Sequence, residues 1–335
     1  MLSLKPKELL IISNIKEADL VTHSGTFHSD EVFSTVILKN ILDKEPIKIC
    51  RISEIKEATD SFIYDIGGGK YDHHQPGGNG QRKNGVKYSS FGLIWRDYGK
   101  EFLNKIGAEN IVKVWEKIDK KIVQAIDAVD NGQLENISNN DFEILNVSNL
   151  ISVFNSNWEE EDNQNVYFLQ AVEFAQNILY RIIVDVNSEI KAVEKVEEAI
   201  KKSNEQILIL DKFMPWKETL LDSTNLKAGK ILYVIFPSNR GGYNIYSVPK
   251  EKGSFESRKL FPKEWAGLKD NELQKATGVE TAFFCHNGRF ICCTRAKEDA
   301  IKLAKIAIEY RERIWKIIVY SKYFLSDCFV KRKEW

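Results

Sequence analysis

Tyr64-Asp65-Ile66-Gly67-Gly68-Gly69, followed after Lys70 by Tyr71-Asp72-His73-His74, is the stretch on which the reading of this chain turns. The apolar run Phe62-Ile63-Tyr64 stops at Asp65, so a strand would end in a carboxylate. Upstream, Leu20-Val21-Thr22-His23 ends in the same way and runs into Ser24-Gly25-Thr26-Phe27-His28-Ser29-Asp30-Glu31. Four of the chain's five histidines fall in these two stretches. Imidazole and carboxylate hold divalent cations in mixed N/O ligation, and open α/β sheets bind ligands outside the carboxyl ends of their strands. The combination predicts a metal centre at the edge of a parallel sheet.

The flanking sequence supplies the rest of that sheet. Leu20–His23 reads as a short buried strand, Ile47–Ile52 as a second strand and Phe62–Tyr64 as a third. Ser29 can cap a helix through Val32, Phe33, Val36, Ile37 and Ile41, with Asp30 and Glu31 in its first turn. The helix dipole accounts for Asp30 but leaves His23 and His28 unexplained. Glycines 67 to 69 let the backbone pass close to whatever Asp65 holds; no GxGxxG is present, which weakens a dinucleotide reading. Gln75 to Ser90 reads as a polar flexible loop whose Arg82 and Lys83 could grip phosphate. Phe91–Ile106 and Ile111–Val129 have helical periodicity, the latter leading to Asp127-Ala128-Val129-Asp130-Asn131-Gly132. Two ions roughly 3.5–4 Å apart need a ligand set each and a shared bridge. His23, His28 and Asp65 suit one ion; Asp30, His73 and Asp130 suit the other, with Asp65 bridging. His74, expected to diverge from His73, would donate to a substrate phosphoryl oxygen. Asp72 and Glu31 would orient neighbouring histidines without binding metal. A donor set without thiolate favours Mn²⁺, with Fe²⁺, Co²⁺ or Zn²⁺ as alternatives.

Beyond this region the pattern changes. Gln164–Ser203 is a long amphipathic segment; strands follow at Ile207–Leu210, Ile231–Phe236, Tyr243–Val248, Thr281–Cys285 and Phe290–Thr294, then a helix at Lys297–Tyr310. Asn287-Gly288 offers a hairpin turn. The expected division is residues 1–195, a catalytic metal-binding domain with a linker helix, and 196–335, a substrate-binding domain. Arg240 and Arg289, each beside glycine, would contribute cationic substrate contacts, with His286 as a further one.

Length, charge and cysteines bound the function. At 335 residues two domains are expected. Formal net charge is zero, so no global basic field attracts nucleic acid. Locally, residues 135–162 carry acids and no Lys or Arg, while the last forty residues lean basic; a solvated loop and a helix surface explain both. Five cysteines at unpaired spacings predict buried thiols, a reducing cytoplasmic address and no zinc site at Cys285, His286 and Cys292. Lys and Glu flank Leu9-Leu10-Ile11-Ile12, which argues against a secretory signal, and no run is long enough for a bilayer. Self-association is compatible with the sequence.

Thr22-His23-Ser24-Gly25-Thr26-Phe27-His28-Ser29-Asp30-Glu31, Asp65-Ile66-Gly67-Gly68 and Tyr71-Asp72-His73-His74-Gln75 together resemble the Myg family (melanocyte-proliferating-gene proteins) of the DHH phosphoesterase superfamily. The similarity continues through Ala128–Gly132, Pro215–Glu218, Val234–Pro237, Trp265–Leu268, Gly278-Val279 and His286–Phe290. The resemblance implies an α/β fold: a parallel-sheet DHH-type N-terminal domain plus a smaller α/β C-terminal domain. It also implies a Mn²⁺ pair and 3′–5′ exonuclease activity on RNA or short oligonucleotides. Two departures stand out. His28 occupies the place of the superfamily's usual Asp, with one extra residue after His23, and Asn287-Gly288-Arg289 replaces the glycine-rich GGGH loop.

The leading expectation is therefore a metal-dependent phosphodiesterase in which metal-held hydroxide attacks phosphorus, with Asp65 and His74 as the catalytic side chains. The alternatives are hydrolysis of a small phosphate compound such as pyrophosphate, and a non-catalytic module that senses metal or nucleotide.

Overall fold

The computed structural model describes residues 2–4, 6–133, 144–161, 163–203 and 206–310. Residues 135–143 and 162 of the acidic stretch, residues 311–335 of the basic end, and Cys328 lie outside the described residues. The chain divides into two units, Met1–Lys195 and Val196–Trp335.

In the first unit four strands run parallel: β1 (Leu9–Ile12), β2 (Leu20–His23), β3 (Ile47–Ile52) and β4 (Phe62–Ile63), in the order β1-β3-β2-β4. Leu20, Val21 and Thr22 are all fully buried, as expected of a parallel strand covered on both faces. β1 was read in the sequence only as too interrupted for a signal segment. It is one of the two edge strands, paired with β3 from Leu9↔Ile47 to Ile12↔Cys50.

Helix α1 (Ser29–Ile41) follows β2, and α2 (Ser90–Lys105) follows the loop after β4. They pack through Phe33 and Phe91, with ring centroids 5.3 Å apart. Each such buried aromatic contributes about 1.5–3 kcal/mol. The cap of α1 is His28, not the expected Ser29; Glu31 Oε2 accepts from the His28 N–H at 2.8 Å. The periodic segment 111–129 is not one α-helix: α3 (Ile111–Ile118) and α4 (Gln124–Asp130) are joined by a π-helical turn, Asp119–Val123. π-turns recur near functional sites. The loop expected to be flexible is tied down by the Gln81–Lys87 bridge and by Arg82. Short α5 (Val147–Ser152) precedes α6 (Gln164–Lys202), a single 39-residue helix in which the unit boundary falls.

The second unit has a mixed five-stranded sheet, β5 (Ile207–Ile209), β6 (Tyr233–Pro237), β7 (Tyr243–Ser247), β8 (Ala282–Cys285) and β9 (Ile291–Thr294), in the order β5-β6-β7-β9-β8. Alternation along β6 sends Tyr233 and Ile235 to one face and Val234 and Phe236 to the other. The first face packs with α8 (Asp270–Thr277) and α9 (Lys297–Glu309). The second packs with the end of α6 and with α7 (Lys217–Asp222). Between β8 and β9 the turn is longer than an Asn-Gly pair, and the left-handed residue is Arg289, at φ 58°. Cys50, Cys285, Cys292 and Cys293 are buried free thiols. Among the described residues, no helix is long and apolar enough to cross a membrane.

Candidate metal centre

β2 and β4 are parallel neighbours, so the segments leaving their carboxyl ends emerge side by side. His23 ends β2, and Asp65 follows β4 with its N–H donated to the Tyr71 carbonyl at 2.9 Å. Asp65 has φ 57°, a left-handed conformation that an aspartate reaches more readily than most residues but still at a cost. Gly67 and Gly68 are also left-handed, at φ 86° and 69°. They fold the chain back so that the buried Asp72 carboxylate accepts from the N–H groups of Gly68 (2.7 Å) and His74 (2.9 Å). Burial, which would raise Asp72, is outweighed by these two N–H groups and the His74 ring, so its pKa is lowered.

The two oxygens of Asp65 face different partners. Oδ2 is 3.3 Å from His23 Nε2, while Oδ1 is 3.5 Å from His73 Nε2 and 3.6 Å from His74 Nδ1. His73 Nε2 also lies 2.9 Å from Asp130 Oδ2 and 3.6 Å from Asp30 Oδ2. Ligand atoms of His23, His28 and Glu31 converge within 4.8 Å of one another, as do those of His28, Asp30 and Asp130. Asp65, His73 and His74 make a third such group, and Asp30, Glu31 and Asp65 a fourth.

All six residues expected as ligands therefore meet. Two placements differ from expectation. Glu31 lies inside the cluster, with Oε1 2.9 Å from His23 Nε2, because the first turn of α1 aims it there alongside Asp30. His74 does not diverge from His73: their rings are 4.1 Å apart. The His74 ring is 56% exposed and held through Nδ1 by Asp72 Oδ1 at 2.9 Å.

The residues fit a pair of cations on an electrostatic ground. Asp30 Oδ1, Glu31 Oε1, both oxygens of Asp65, His73 Nε2 and Asp130 Oδ2 are buried, make no well-directed hydrogen bond, and have mainly one another and His23 as polar neighbours. Leaving such atoms unsatisfied costs about 1–3 kcal/mol each, more for charged groups, and a cation satisfies several at once. The titration behaviour agrees. Burial and the charges of Asp65, Asp130 and Glu31 hold Asp30 well above the carboxylate range. Burial pulls His23 down, but Asp65 and Glu31 override it and raise the imidazole to about 10. His73, likewise opposed by burial, is raised chiefly by Asp130.

Supports around the cluster were not legible as such. Asn155 grips Phe27 at both backbone groups: Oδ1 accepts from the N–H at 2.9 Å and Nδ2 donates to the carbonyl at 2.9 Å. Arg51 donates to the Gly25 carbonyl at 2.8 Å from beneath the Phe27 and Phe168 rings. Asp30 Oδ2 accepts from the Ser90 N–H at the start of α2. Asp127 sits at the same helix terminus, accepting from Ser89 Oγ at 2.6 Å and the Gly92 N–H at 2.9 Å. A Cβ on Gly92 would lie 1.8 Å from Asp127 Oδ2, so only glycine admits that carboxylate.

The residues expected at the substrate are placed variously. Arg82 is occupied by Asp127 and Asp119 at 2.7 and 2.8 Å, an internal use that competes with a substrate role. Lys83 is exposed. In the second unit, Arg240 is exposed in the β6–β7 turn. Arg289 Nη1 donates to the Phe261 carbonyl at 3.2 Å, and His286 Nδ1 accepts from the Gly288 N–H at 2.9 Å.

A family model named MYG1_exonuc, described as "Uncharacterised protein family (UPF0160)", matches residues 19–308. The chain belongs to the MYG1 family. It is similar to the MYG1 protein C27H6.8 of Caenorhabditis elegans, 31% identical over 324 residues, covering 87% of this chain and 95% of that protein. Against the MYG1 protein YER156C of Saccharomyces cerevisiae it is 30% identical over 322 residues, or 86% and 95% of the two chains. The Homo sapiens protein named MYG1 exonuclease is 28% identical over 331 residues, covering 88% and 87%. The MYG1 match spans every ligand candidate from His23 to Asp130 as well as the second sheet.

Proposed function

We propose that this chain is a metal-dependent phosphodiesterase that removes nucleotides from the 3′ end of RNA or short oligonucleotides. The observation that carries the reading is the convergence of buried carboxylate and imidazole atoms, crowded against one another, from four chain segments at one sheet edge. The name exonuclease borne by the human relative points the same way. The donor set favours Mn²⁺, with Fe²⁺, Co²⁺ or Zn²⁺ able to substitute. Such ions supply Lewis acidity toward a phosphoryl oxygen and acidify a water.

The chain's residues have separable tasks in this reading. Asp65 presents one oxygen to each side of the cluster, as a bridge must. His23, His28, Glu31, Asp30, His73 and Asp130 complete the two sides. With its Nδ1–H held by Asp72, the half-exposed His74 presents Nε2, which donates to a phosphoryl oxygen in the imidazolium form. Zero net charge favours short substrates over long polyanions, and four buried free thiols suit a reducing, cytoplasmic address.

The test is one assay of purified protein with Mn²⁺, offering labelled RNA, DNA, dinucleotides and pyrophosphate side by side. Stepwise release of nucleoside monophosphates from the 3′ end, abolished by EDTA, is expected. Hydrolysis of pyrophosphate alone, or of nothing, would overturn the reading.

A further inference from the structure

The second unit holds an aromatic-walled cavity of about 570 Å³, within the range small ligands occupy. Tyr246 on β7 forms one wall, stacked on Phe236 at 5.5 Å between centroids and 20° between planes. Phe290, 6.3 Å from Tyr246, continues it. Phe255 also lines the cavity and is wholly exposed (103%).

That exposure has no structural return. The loop carrying Phe255 is already closed by the Pro249–Ser257 bridge, by Lys250 N–H to the Glu256 carbonyl at 2.8 Å, and by Gly253 at φ 72°. A phenylalanine left in water forgoes the stabilisation that burial would bring. Lining a cavity together with two other rings, it is suited to pack on a flat, aromatic guest.

Charge narrows the guest further. Lys217, the first residue of α7, holds its ammonium 5.8 Å from the Tyr246 ring, at the cavity's lining. Lys252 also lines it but is committed to Asp222 at 2.5 Å, and Glu218 and Glu251 share the rim. With Lys252 paired to Asp222, Lys217 is the ammonium left beside two glutamates, an arrangement that disfavours a strand of phosphates and offers one cation to a single phosphate on an aromatic heterocycle. Serine hydroxyls at 254 and 257 add polar partners for a sugar.

We infer that this cavity binds a nucleoside monophosphate, with the base among Tyr246, Phe255 and Phe290 and the phosphate at Lys217. The choice of a nucleotide among flat aromatic ligands rests on the phosphodiesterase reading above, whose product it would be. None of the cavity's lining residues is among the metal-ligand candidates.

The experiment is calorimetric titration of the full chain in EDTA with AMP, adenosine and inorganic phosphate. In EDTA the carboxylates of the metal cluster repel phosphate, so binding reports the second unit. AMP and adenosine should bind saturably and inorganic phosphate should not. Phe255→Ala should weaken both by about tenfold, the lower part of the range for base–aromatic stacking. Lys217→Gln should weaken AMP several-fold and leave adenosine unchanged. Absence of saturable binding, as expected if the cavity receives a partner protein's aromatic side chain, would overturn the inference. So would affinities indifferent to either substitution. Wild-type hydrolysis with Mn²⁺ is scored separately, so loss of this inference and loss of the phosphodiesterase reading are distinguishable.

Discussion

Arg82 Nη1 lies 2.7 Å from Asp127 Oδ2, joining the loop before α2 to the helix that ends at Asp130, with both side chains nearly out of solvent. Burial raises Asp127 to about 6 even though Arg82 works to lower it. The folded chain therefore holds this proton more tightly than the unfolded chain, and ionised Asp127 costs stability as pH rises through 6. Arg82→Met should destabilise by about 3–5 kcal/mol near neutrality, as when one member of a buried pair is removed. The loss should be larger at about pH 8 than at about pH 5.5, because the lone carboxylate can escape by protonation at the lower value. Urea denaturation at both values checks this; equal losses would refute it.

Asp30→Asn should have opposite effects in EDTA and in Mn²⁺. It removes one of the crowded carboxylates while keeping an oxygen for the Ser90 N–H, so the thermal midpoint in EDTA should rise. Wild type should gain about 2.7 kcal/mol at a hundredfold excess of Mn²⁺ over Kd, and the variant should gain little. Elemental analysis should find up to two ions per wild-type chain and fewer in the variant. A wild type that retains no transition metal would end the two-ion assignment.

At Asp65 conformation and chemistry can be separated. Asp65→Asn and Asp65→Gly should both abolish turnover, since neither supplies a charged bridge, while both tolerate φ 57°. Asp65→Val should lose turnover and, in addition, about 1–2 kcal/mol of stability. Near-normal rates in Asp65→Asn would refute the bridging role.

In the second unit Arg240→Ala and Arg289→Ala should raise KM for an oligonucleotide more than they lower kcat, as loss of uniform binding does. Steady-state kinetics decide, and an unchanged KM in both variants would confine the substrate to the first unit.

β2 was readable because burial on both faces leaves it almost wholly apolar, β3 because isoleucines recur through Lys48 and Arg51, and the ends of β2 and β4 because His23 and Asp65 stop the apolar runs. β1 is itself an unbroken apolar run, Leu9-Leu10-Ile11-Ile12, and its flanking Lys and Glu bear on a secretory segment but not on a strand. Nothing in local periodicity distinguishes a π-turn from α-helix, so Asp119–Val123 was hidden inside a helical pattern. The ligand set was legible as residue types; the inward aim of Glu31 follows from how far α1 turns after His28, which composition does not encode. Arg82 was visible as a cation, but its partners are 45 and 37 residues away. In the hairpin, the positive φ fell on Arg289 because the turn runs longer than the Asn-Gly pair alone suggests.

Asn155 adds a consequence of another kind. It offers no atom to the metal cluster, yet its amide fixes both backbone groups of Phe27 from 128 residues away. A chain cut after Asn131 would keep every candidate ligand named above and lose the spacing between His23 and His28. Position 155 should thus behave in a mutational survey as though it belonged to the candidate ligand cluster, and the smallest fragment expected to retain that cluster's geometry extends past it.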